Sequence, residues 1–171
     1  MSLPTEMLSL IYDEGQHKRF RAGGLAHEWR ERYPMLFDNQ DLKIALYRPS
    51  YHFFEWLTAI ILYESMGWLS LVEQYEFKSH RTKQAKLTAL VSHGGMSQDM
   101  LKLILKHEDY GNTQCPDLLV FAPDYSQWFF CEAKGPRDSF SENQLKFFKE
   151  LETTSDSQLR VVRFKHNPQK S

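Results

Sequence analysis

The chain has little of what marks several large classes of protein. Its 171 residues include only two cysteines, Cys115 and Cys131, which are too few for a disulfide scaffold and form no CxxC pair. No stretch approaches the roughly 20 consecutive apolar residues of a membrane span, and the N-terminus lacks the pattern of a secretory signal. The formal net charge is only -1, whereas nucleic-acid-binding domains often run strongly basic. We therefore expect a cytoplasmic protein with reduced thiols, no membrane contact and, at most, a local basic surface.

The signatures of zinc-dependent and nucleophilic catalysis are also missing. His27-Glu28 and His107-Glu108 lack the second histidine of HExxH, and neither GxSxG nor a glycine-rich phosphate loop occurs. The seven histidines are scattered, so we interpret each as a surface or satisfied core residue rather than a ligand. What is present is a globular composition, 42% hydrophobic and 14% aromatic, at a length that suits one domain with a proper core.

The most informative stretch is 114–151, which predicts two strands and a helix. Asp117 opens a short apolar strand, and a second strand follows over 127–134. Alternation along the second strand directs Glu132 and Lys134 to the same face. A carboxylate and an ammonium at the end of an apolar strand are costly to bury. Their pairing makes sense if Asp117, on the neighbouring strand, joins them around a divalent cation.

Two helices flank these strands in the sequence. The downstream helix, 142–151, is predicted to be capped by Ser141, with Gln144 at the capping-box position. The upstream helix, 50–68, is apolar on nearly all faces, which predicts a largely buried helix. Glu55 lies in the first turn of its buried face, and both a functional carboxylate and a favourable placement near the helix dipole are consistent with this position. Glu64, the competing acid, has the position of a surface residue.

The rest of the chain completes an α/β pattern. Leu3, Met7, Leu10 and Ile11 recur at helical spacing, so residues 1–50 are predicted to form a helical extension in which Asp38 caps one short helix. Further elements are predicted from the same periodicities: a strand over 69–77, a helix over 96–107, a last strand over 159–164 and a frayed tail over 166–171. This order predicts one mixed central sheet flanked by helices.

A basic run lies between the predicted strand 69–77 and the helix 96–107. Lys78, Arg81, Lys83 and Lys86 occur there without an acid among them. Such runs are usually solvated, but this one directly follows a strand of the predicted sheet, so contact with phosphates is the alternative interpretation.

These residues together resemble a known family. Pro-Asp opening one strand, Glu-x-Lys closing the next and an acid on the preceding helix resemble the PD-(D/E)xK nuclease fold. The segment CEAKGPRDSFSENQLKFF is similar to the VRR-NUC branch, which includes the nuclease domain of the Fanconi-associated nuclease and stand-alone phage and bacterial domains. The resemblance covers roughly Phe53 to Phe164. The chain departs from the family in Ala133, where Val is common, in Cys115, and in an insertion at about 79–113.

The resemblance implies a restriction-endonuclease-like core over 51–165 and a metal-dependent DNA nuclease. It implies that Mg²⁺ or Mn²⁺ is held by four groups, namely Asp117, Glu132, Glu55 and the backbone carbonyl of Ala133. The same resemblance implies that Lys134 is the catalytic lysine and that Gln144 supports the site. Five basic residues are expected to contact DNA: Lys78, Arg81, Lys83, Lys86 and Arg137.

Two other functions fit the same sequence. A binding module on this fold that senses DNA branches without cutting would keep salt-sensitive binding and lack turnover. An interaction protein that presents the aromatic-rich helix 51–68 would show no affinity for nucleic acid. Branched, flapped or nicked DNA are all candidate substrates, and both a monomer and a homodimer suit the sequence.

Overall fold

Five strands form one mixed sheet, with helices on both of its faces. The computed structural model describes residues 5–106, 115–154 and 158–170. The strands are β1 (Thr5–Ile11), β2 (Leu69–Leu71), β3 (Leu118–Phe121), β4 (Trp128–Lys134) and β5 (Leu159–Lys165). The helices are α1 (Glu14–Arg21), α2 (Gly24–Arg32), α3 (Asn39–Tyr47), α4 (Phe53–Met66), α5 (Arg81–Ser92), α6 (Gln98–Lys106) and α7 (Glu142–Glu152). The predicted α/β class with a mixed sheet is thus confirmed.

The strand order across the sheet is β1-β5-β4-β3-β2. The pairs β2–β3 and β3–β4 are antiparallel, whereas the pairs β4–β5 and β5–β1 are parallel. Helix α7 connects β4 to β5, as a parallel pair requires. Because β4 lies at the centre of the sheet, all seven of its residues are buried.

Strand alternation divides the core into two apolar clusters. Leu118 and Val120 of β3 belong to the cluster that includes residues of α1 to α4, where Trp56 of α4 is fully buried. Leu119 and Phe121 belong to the second cluster, which includes residues of α5, α6 and α7. Neighbouring residues of one strand therefore serve opposite layers, which is the α/β/α arrangement of a sheet that is buried on both faces.

Local signals determine the helix ends that were predicted. The Ser141 hydroxyl oxygen accepts a hydrogen bond from the backbone N–H of Gln144, and the side-chain oxygen of Gln144 accepts one from the N–H of Ser141, so the predicted capping box is confirmed. Asp38 caps α3 in the same way. Gly67 ends α4 in the left-handed conformation, at φ 71°. The start of α4 differs from the prediction, because His52 occupies the N-cap position and Ser50 precedes it.

The prediction of a helix around Met7 is wrong. Residues 5–11 form strand β1, which pairs in parallel with β5, from Thr5 opposite Arg160 to Ile11 opposite Lys165. A short apolar run fits the period of a helix and that of a strand, and here the pairing with β5 determines that the segment is a strand. The predicted helical extension is therefore confirmed only for α1 to α3, because its first segment is an edge strand of the sheet.

The predicted strand over 69–77 is shorter than expected. Strand β2 ends at Leu71, because Glu73 and Gln74 have positive φ angles of 49° and 54°. In the predicted insertion, α5 and α6 are described and pack on the second cluster, whereas residues 107–114 lie outside the described residues.

The C-terminal segment packs against the N-terminal part of the chain, so its prediction as a frayed tail is wrong for His166. The Tyr12 hydroxyl lies 3.0 Å from Nδ1 of His166, and the same nitrogen lies 3.2 Å from a Glu14 carboxylate oxygen. Residues 168–170 form one turn of 3-10 helix. Of the helices in the described ranges, none combines the length and apolarity that a bilayer crossing requires.

Candidate functional site

Polar side chains meet where β4 ends and β3 begins. Asp117 immediately precedes β3, and Glu132 lies on β4 with only 1% of its surface exposed. The backbone N–H of Ala133 donates to Asp117 Oδ2 at 2.9 Å, and the N–H of Asp117 donates to Glu132 Oε2 at 3.1 Å. The antiparallel pairing of the two strands thus brings both carboxylates to one point, as the sequence predicted.

Lys134 and Gln144 complete this group. Lys134 Nζ lies 2.8 Å from Glu132 Oε1, and its ammonium is 4.9 Å from the centre of the Phe140 ring. Gln144 Nε2 donates to the same Glu132 oxygen at 2.7 Å, while its Oε1 lies 3.4 Å from Lys134 Nζ. Because that Oε1 also accepts from the N–H of Ser141 at 3.0 Å, the cap of α7 fixes the amide that orients Glu132.

Helix α4 brings a third acid into the group. Glu55 is half-buried in the first turn, and one of its carboxylate oxygens lies within 4.8 Å of a carboxylate oxygen of Glu73. Its charge also acts on Asp117. Burial raises the pKa of Glu55 well above its usual range, and the nearby charges of Glu73 and Glu132 raise it further. Glu64, the alternative acid, is exposed and accepts a hydrogen bond from the Tyr33 hydroxyl, as expected of a surface residue.

The electrostatics of Asp117 follow the same logic. Burial raises its pKa well above the usual range, and the charges of Glu132 and Glu55 add to this effect. The N–H of Ala133 and the ammonium of Lys134 act in the opposite direction. Glu55 and Asp117 therefore favour a proton, or a bound cation, more strongly than a solvated carboxylate does.

His52 and Glu73, which the sequence interpretation missed, extend the site. Nδ1 of His52 lies 2.7 Å from Glu73 Oε1 and 3.4 Å from Glu55 Oε2. The indole N–H of Trp56 donates to the same Glu73 oxygen at 3.2 Å. The three-residue spacing of His52 and Glu55 at the start of a helix was the available signal, because such pairs share one face. Glu73 offered no comparable signal, since it was assigned to a strand.

An internal lysine fixes the turn that carries Glu73. The ammonium of Lys83 is buried and donates to the backbone carbonyls of Val72 and Glu73, the latter at 2.5 Å, and to the carboxylate of Asp41. The positive φ angles of Glu73 and Gln74 cost on the order of 1 kcal/mol each, so this turn needs such an anchor.

The prediction that Lys83 contacts DNA is therefore wrong, because its ammonium is 3% exposed and occupied inside the protein. The remaining predicted DNA contacts have different environments. Lys78, Arg81 and Arg137 are exposed, whereas Lys86 is half-buried on α5. Within the basic run, Lys83 therefore lies on the buried side of α5, whereas Lys78 and Arg81 are exposed to solvent.

A cleft of about 140 Å³ opens beside the acids. It is lined by the turn 73–76, by His52 and Glu55 from α4, and by the segment 115–117. Tyr75 forms part of its wall and donates its hydroxyl to the carbonyl of Pro116 at 2.7 Å. The cleft therefore gives a small ligand access to Glu55, Glu73 and Asp117 from one side.

On the other side of the site, Gly135 allows α4 to approach the end of β4. A Cβ atom at this position would lie 2.7 Å from the Phe54 ring and 3.0 Å from Asp138 Oδ2. The same Asp138 oxygen accepts the N–H of Gly135 at 2.8 Å. The loop after Lys134 is thus closed by its own aspartate, and it packs on the helix that carries Glu55.

The donor atoms in this site are those that hard divalent cations prefer. Asp117, Glu132 and Glu55 offer carboxylate oxygens of this kind. Comparison with known proteins adds no family to this description: no family model, no curated protein and no solved structure matches the chain.

Proposed function

We propose that this protein is a metal-dependent nuclease that hydrolyses phosphodiester bonds in DNA. One observation carries the proposal: Asp117, Glu132, Lys134 and Gln144 come from two strands and a helix, yet contact one another directly. An ordinary strand-end ion pair between Glu132 and Lys134 would not account for the half-buried Asp117 beside it or for the hydrogen bond that Gln144 donates to Glu132.

The site suits Mg²⁺ or Mn²⁺. The groups that would hold the ion are the carboxylates of Asp117, Glu132 and Glu55 and the backbone carbonyl of Ala133. The fit rests on the charge of the site, because the neighbouring carboxylates raise the pKa values of Glu55 and Asp117 and the three acids outnumber the ammonium of Lys134. When bound, such a cation neutralises charge on the phosphate and lowers the pKa of a bound water.

The chain's own residues would orient and stabilise the reacting groups. Lys134 places a positive charge beside the acids, where it stabilises the negative charge that develops on the phosphate. Gln144 and the Ser141 cap hold the carboxylate of Glu132 in one orientation. Asp117 is held in the same way by the N–H of Ala133. A site that is fixed before substrate arrives avoids reorganisation during the reaction.

Contact with DNA is the part of the proposal that depends on surface charge. Arg81 and Arg137 are exposed, and Arg137 follows the catalytic strand by three residues, so it would meet a phosphate close to the cleavage point. A net charge of -1 disfavours strong binding to duplex DNA through the phosphates alone. The proposed substrates are therefore branched, flapped or nicked DNAs, whose shape offers a further means of recognition.

A cleavage panel tests this function. Labelled linear, nicked, flapped and four-way DNAs, with RNA of matching sequence, are incubated with Mg²⁺ or Mn²⁺. The native chain should cut at least one DNA. We expect Lys134→Ala to lower the rate by about 100-fold or more, because the charge at the transition state is lost. Lys146→Ala is the matched control, since that lysine is exposed on α7 and should leave the rate unchanged.

The outcomes separate the alternatives. Cleavage that persists in Lys134→Ala and in Asp117→Asn would refute the assigned site and point to a contaminating nuclease. Salt-sensitive binding of branched DNA without turnover in either metal would instead favour the silent binding module. Absence of both binding and cleavage at low salt would leave the aromatic-rich helix as a protein contact.

A further inference from the structure

A second group of ligand atoms, on the wall of the cleft, shares Glu55 with the acids assigned above. It consists of Nδ1 of His52 and one carboxylate oxygen each of Glu55 and Glu73, and all three atoms lie within 4.8 Å of one another. We propose that His52, Glu55 and Glu73 bind a second divalent cation, and that the imidazole makes this subsite selective for transition metals over Mg²⁺. The proposal deepens the proposed function, on which its catalytic meaning rests.

The spacing of these atoms suits an ion between them. Two neighbouring ligands of an octahedral ion with bonds of about 2.1 Å are about 3 Å apart. The observed separations from His52 Nδ1, 2.7 Å to Glu73 and 3.4 Å to Glu55, lie on either side of this value. A small change in side-chain torsions is therefore enough to admit the ion, without movement of the backbone.

The charge in this region is the second argument. Four carboxylates meet here, those of Glu55, Glu73, Asp117 and Glu132, whereas the ion pairs described for them come from Lys134 and His52. Even with a protonated His52, two negative charges remain when all four acids are ionised. One cation at Asp117 and Glu132 would leave the carboxylate of Glu73, which is 5% exposed, with the His52 imidazole and the Trp56 indole as its described side-chain partners.

The positioning of Glu73 is the third argument. Its backbone is in the left-handed region at φ 49°, and the carbonyl groups of this turn are held by the buried ammonium of Lys83. Trp56 also donates its indole N–H to the Glu73 carboxylate. A pairing with one histidine would not require so much fixed structure, whereas a metal ligand needs a fixed orientation.

The choice of metal follows from the ligand types. Carboxylate oxygens alone suit Mg²⁺ and Mn²⁺ equally well, but imidazole nitrogen is a ligand that Mg²⁺ rarely accepts. The subsite should therefore bind Mn²⁺, and Zn²⁺ more tightly, at concentrations at which Mg²⁺ leaves it empty. The inner position at Asp117 and Glu132, with oxygen donors, would take any of these ions.

Mn²⁺ binding without DNA tests the proposal. Free Mn²⁺ is counted by electron paramagnetic resonance during a titration of the full chain, and pulsed measurements detect a ¹⁴N coupling to bound Mn²⁺. We expect two bound ions and a nitrogen coupling in the native chain. His52→Asn should bind one ion, lose the coupling and lower the ratio of Mn²⁺ to Mg²⁺ affinity by about tenfold or more. His27→Asn, at an exposed histidine of α2, should behave like the native chain.

A second variant protects the test against a folding defect. Glu73→Gln keeps the shape of the side chain and its contact with Trp56, and it should also reduce the number of bound ions from two to one. A native chain that binds a single ion with no nitrogen coupling would overturn the proposal, as would two bound ions in His52→Asn. Because DNA is absent, a failure to cut DNA has no bearing on these readings.

Discussion

Two groups of buried charge lie close to each other in this protein, and they differ in balance. Around Lys83, one ammonium meets one carboxylate, that of Asp41, and two backbone carbonyls. In the candidate site, as far as the chain is described, the carboxylates of Glu55, Glu73, Asp117 and Glu132 meet the ammonium of Lys134 and the imidazole of His52. The first group satisfies itself, whereas the second retains an excess of negative charge.

This difference separates a structural role from a ligand-binding role. A buried ion pair whose hydrogen bonds are complete needs nothing from solvent, so it serves to fix the turn at Glu73. A buried group of like charges is costly until a proton or a cation neutralises it. The location of uncompensated charge, rather than the location of charge alone, distinguishes the candidate site.

The largest change in stability should come from removing Lys83, the ammonium of the balanced group. Lys83→Met leaves Asp41 and two carbonyls without their donor, so we expect the free energy of unfolding to fall by about 3–5 kcal/mol. Urea denaturation measures it, and Lys102→Met, at an exposed lysine of α6, is the control, with a change within about 0.5 kcal/mol. A loss below about 1 kcal/mol would show that Lys83 is not the anchor of the turn.

The pH dependence of the same group is the next effect in size. Burial raises the pKa of Asp41 to about 6, from about 3.8 in a solvated chain, although Lys83 acts in the opposite direction. The unfolded chain therefore releases this proton first. The stability that neutral Asp41 contributes is present below about pH 4 and is lost as the pH rises through 6.

This dependence can be isolated with Asp41→Asn. The free energy of unfolding of the native chain, relative to that of the variant, should fall by about 2–3 kcal/mol between pH 4 and pH 7. Urea denaturation of both proteins at both pH values gives this difference. The contributions of the other acids cancel, because both proteins contain them. A difference that grows with pH would mean that the ion pair with Lys83 outweighs burial.

Removing a charge from the candidate site should instead raise the stability of the protein, and by a smaller amount. Asp117→Asn removes one like charge and keeps an oxygen for the N–H of Ala133. Without divalent cations we expect a gain of about 1 kcal/mol, or about 2–4 °C in Tm, together with a loss of stabilisation by Mn²⁺. Glu64→Gln, on the exposed part of α4, should change neither value. Destabilisation by Asp117→Asn in EDTA would contradict the excess of charge.

Local patterns were sufficient to predict the central part of the fold. Strands β3 and β4 alternate clearly and α7 carries a capping box, so the pairing of the strands and the common face of Glu132 and Lys134 follow from local patterns. The approach of Gln144 to Glu132 was expected only from the family resemblance. The N-terminal strand did not follow, because Thr5–Ile11 fits a helix and a strand equally well. Its state is decided by pairing with β5, which lies at the other end of the sequence.

The missing parts of the site share one physical cause. Glu73 reaches the site only because β2 ends early in a turn with positive φ, and that turn is held by Lys83 from α5 and Asp41 from α3. No short window contains these three residues. His52 was set aside for the same reason, since its partner Glu73 is distant in sequence and was assigned to a strand.

The pairing of β1 with β5 has a consequence for biosynthesis. The ribosome releases the first strand long before its neighbour exists; the contact that closes this edge, between Tyr12 and His166, joins residues 154 positions apart. Until then the half-buried apolar side chains of Met7, Leu8 and Leu10 have no partner strand to cover them. Such late, long-range closure slows folding and favours aggregation of nascent chains, so expression at reduced temperature should raise the yield of this protein.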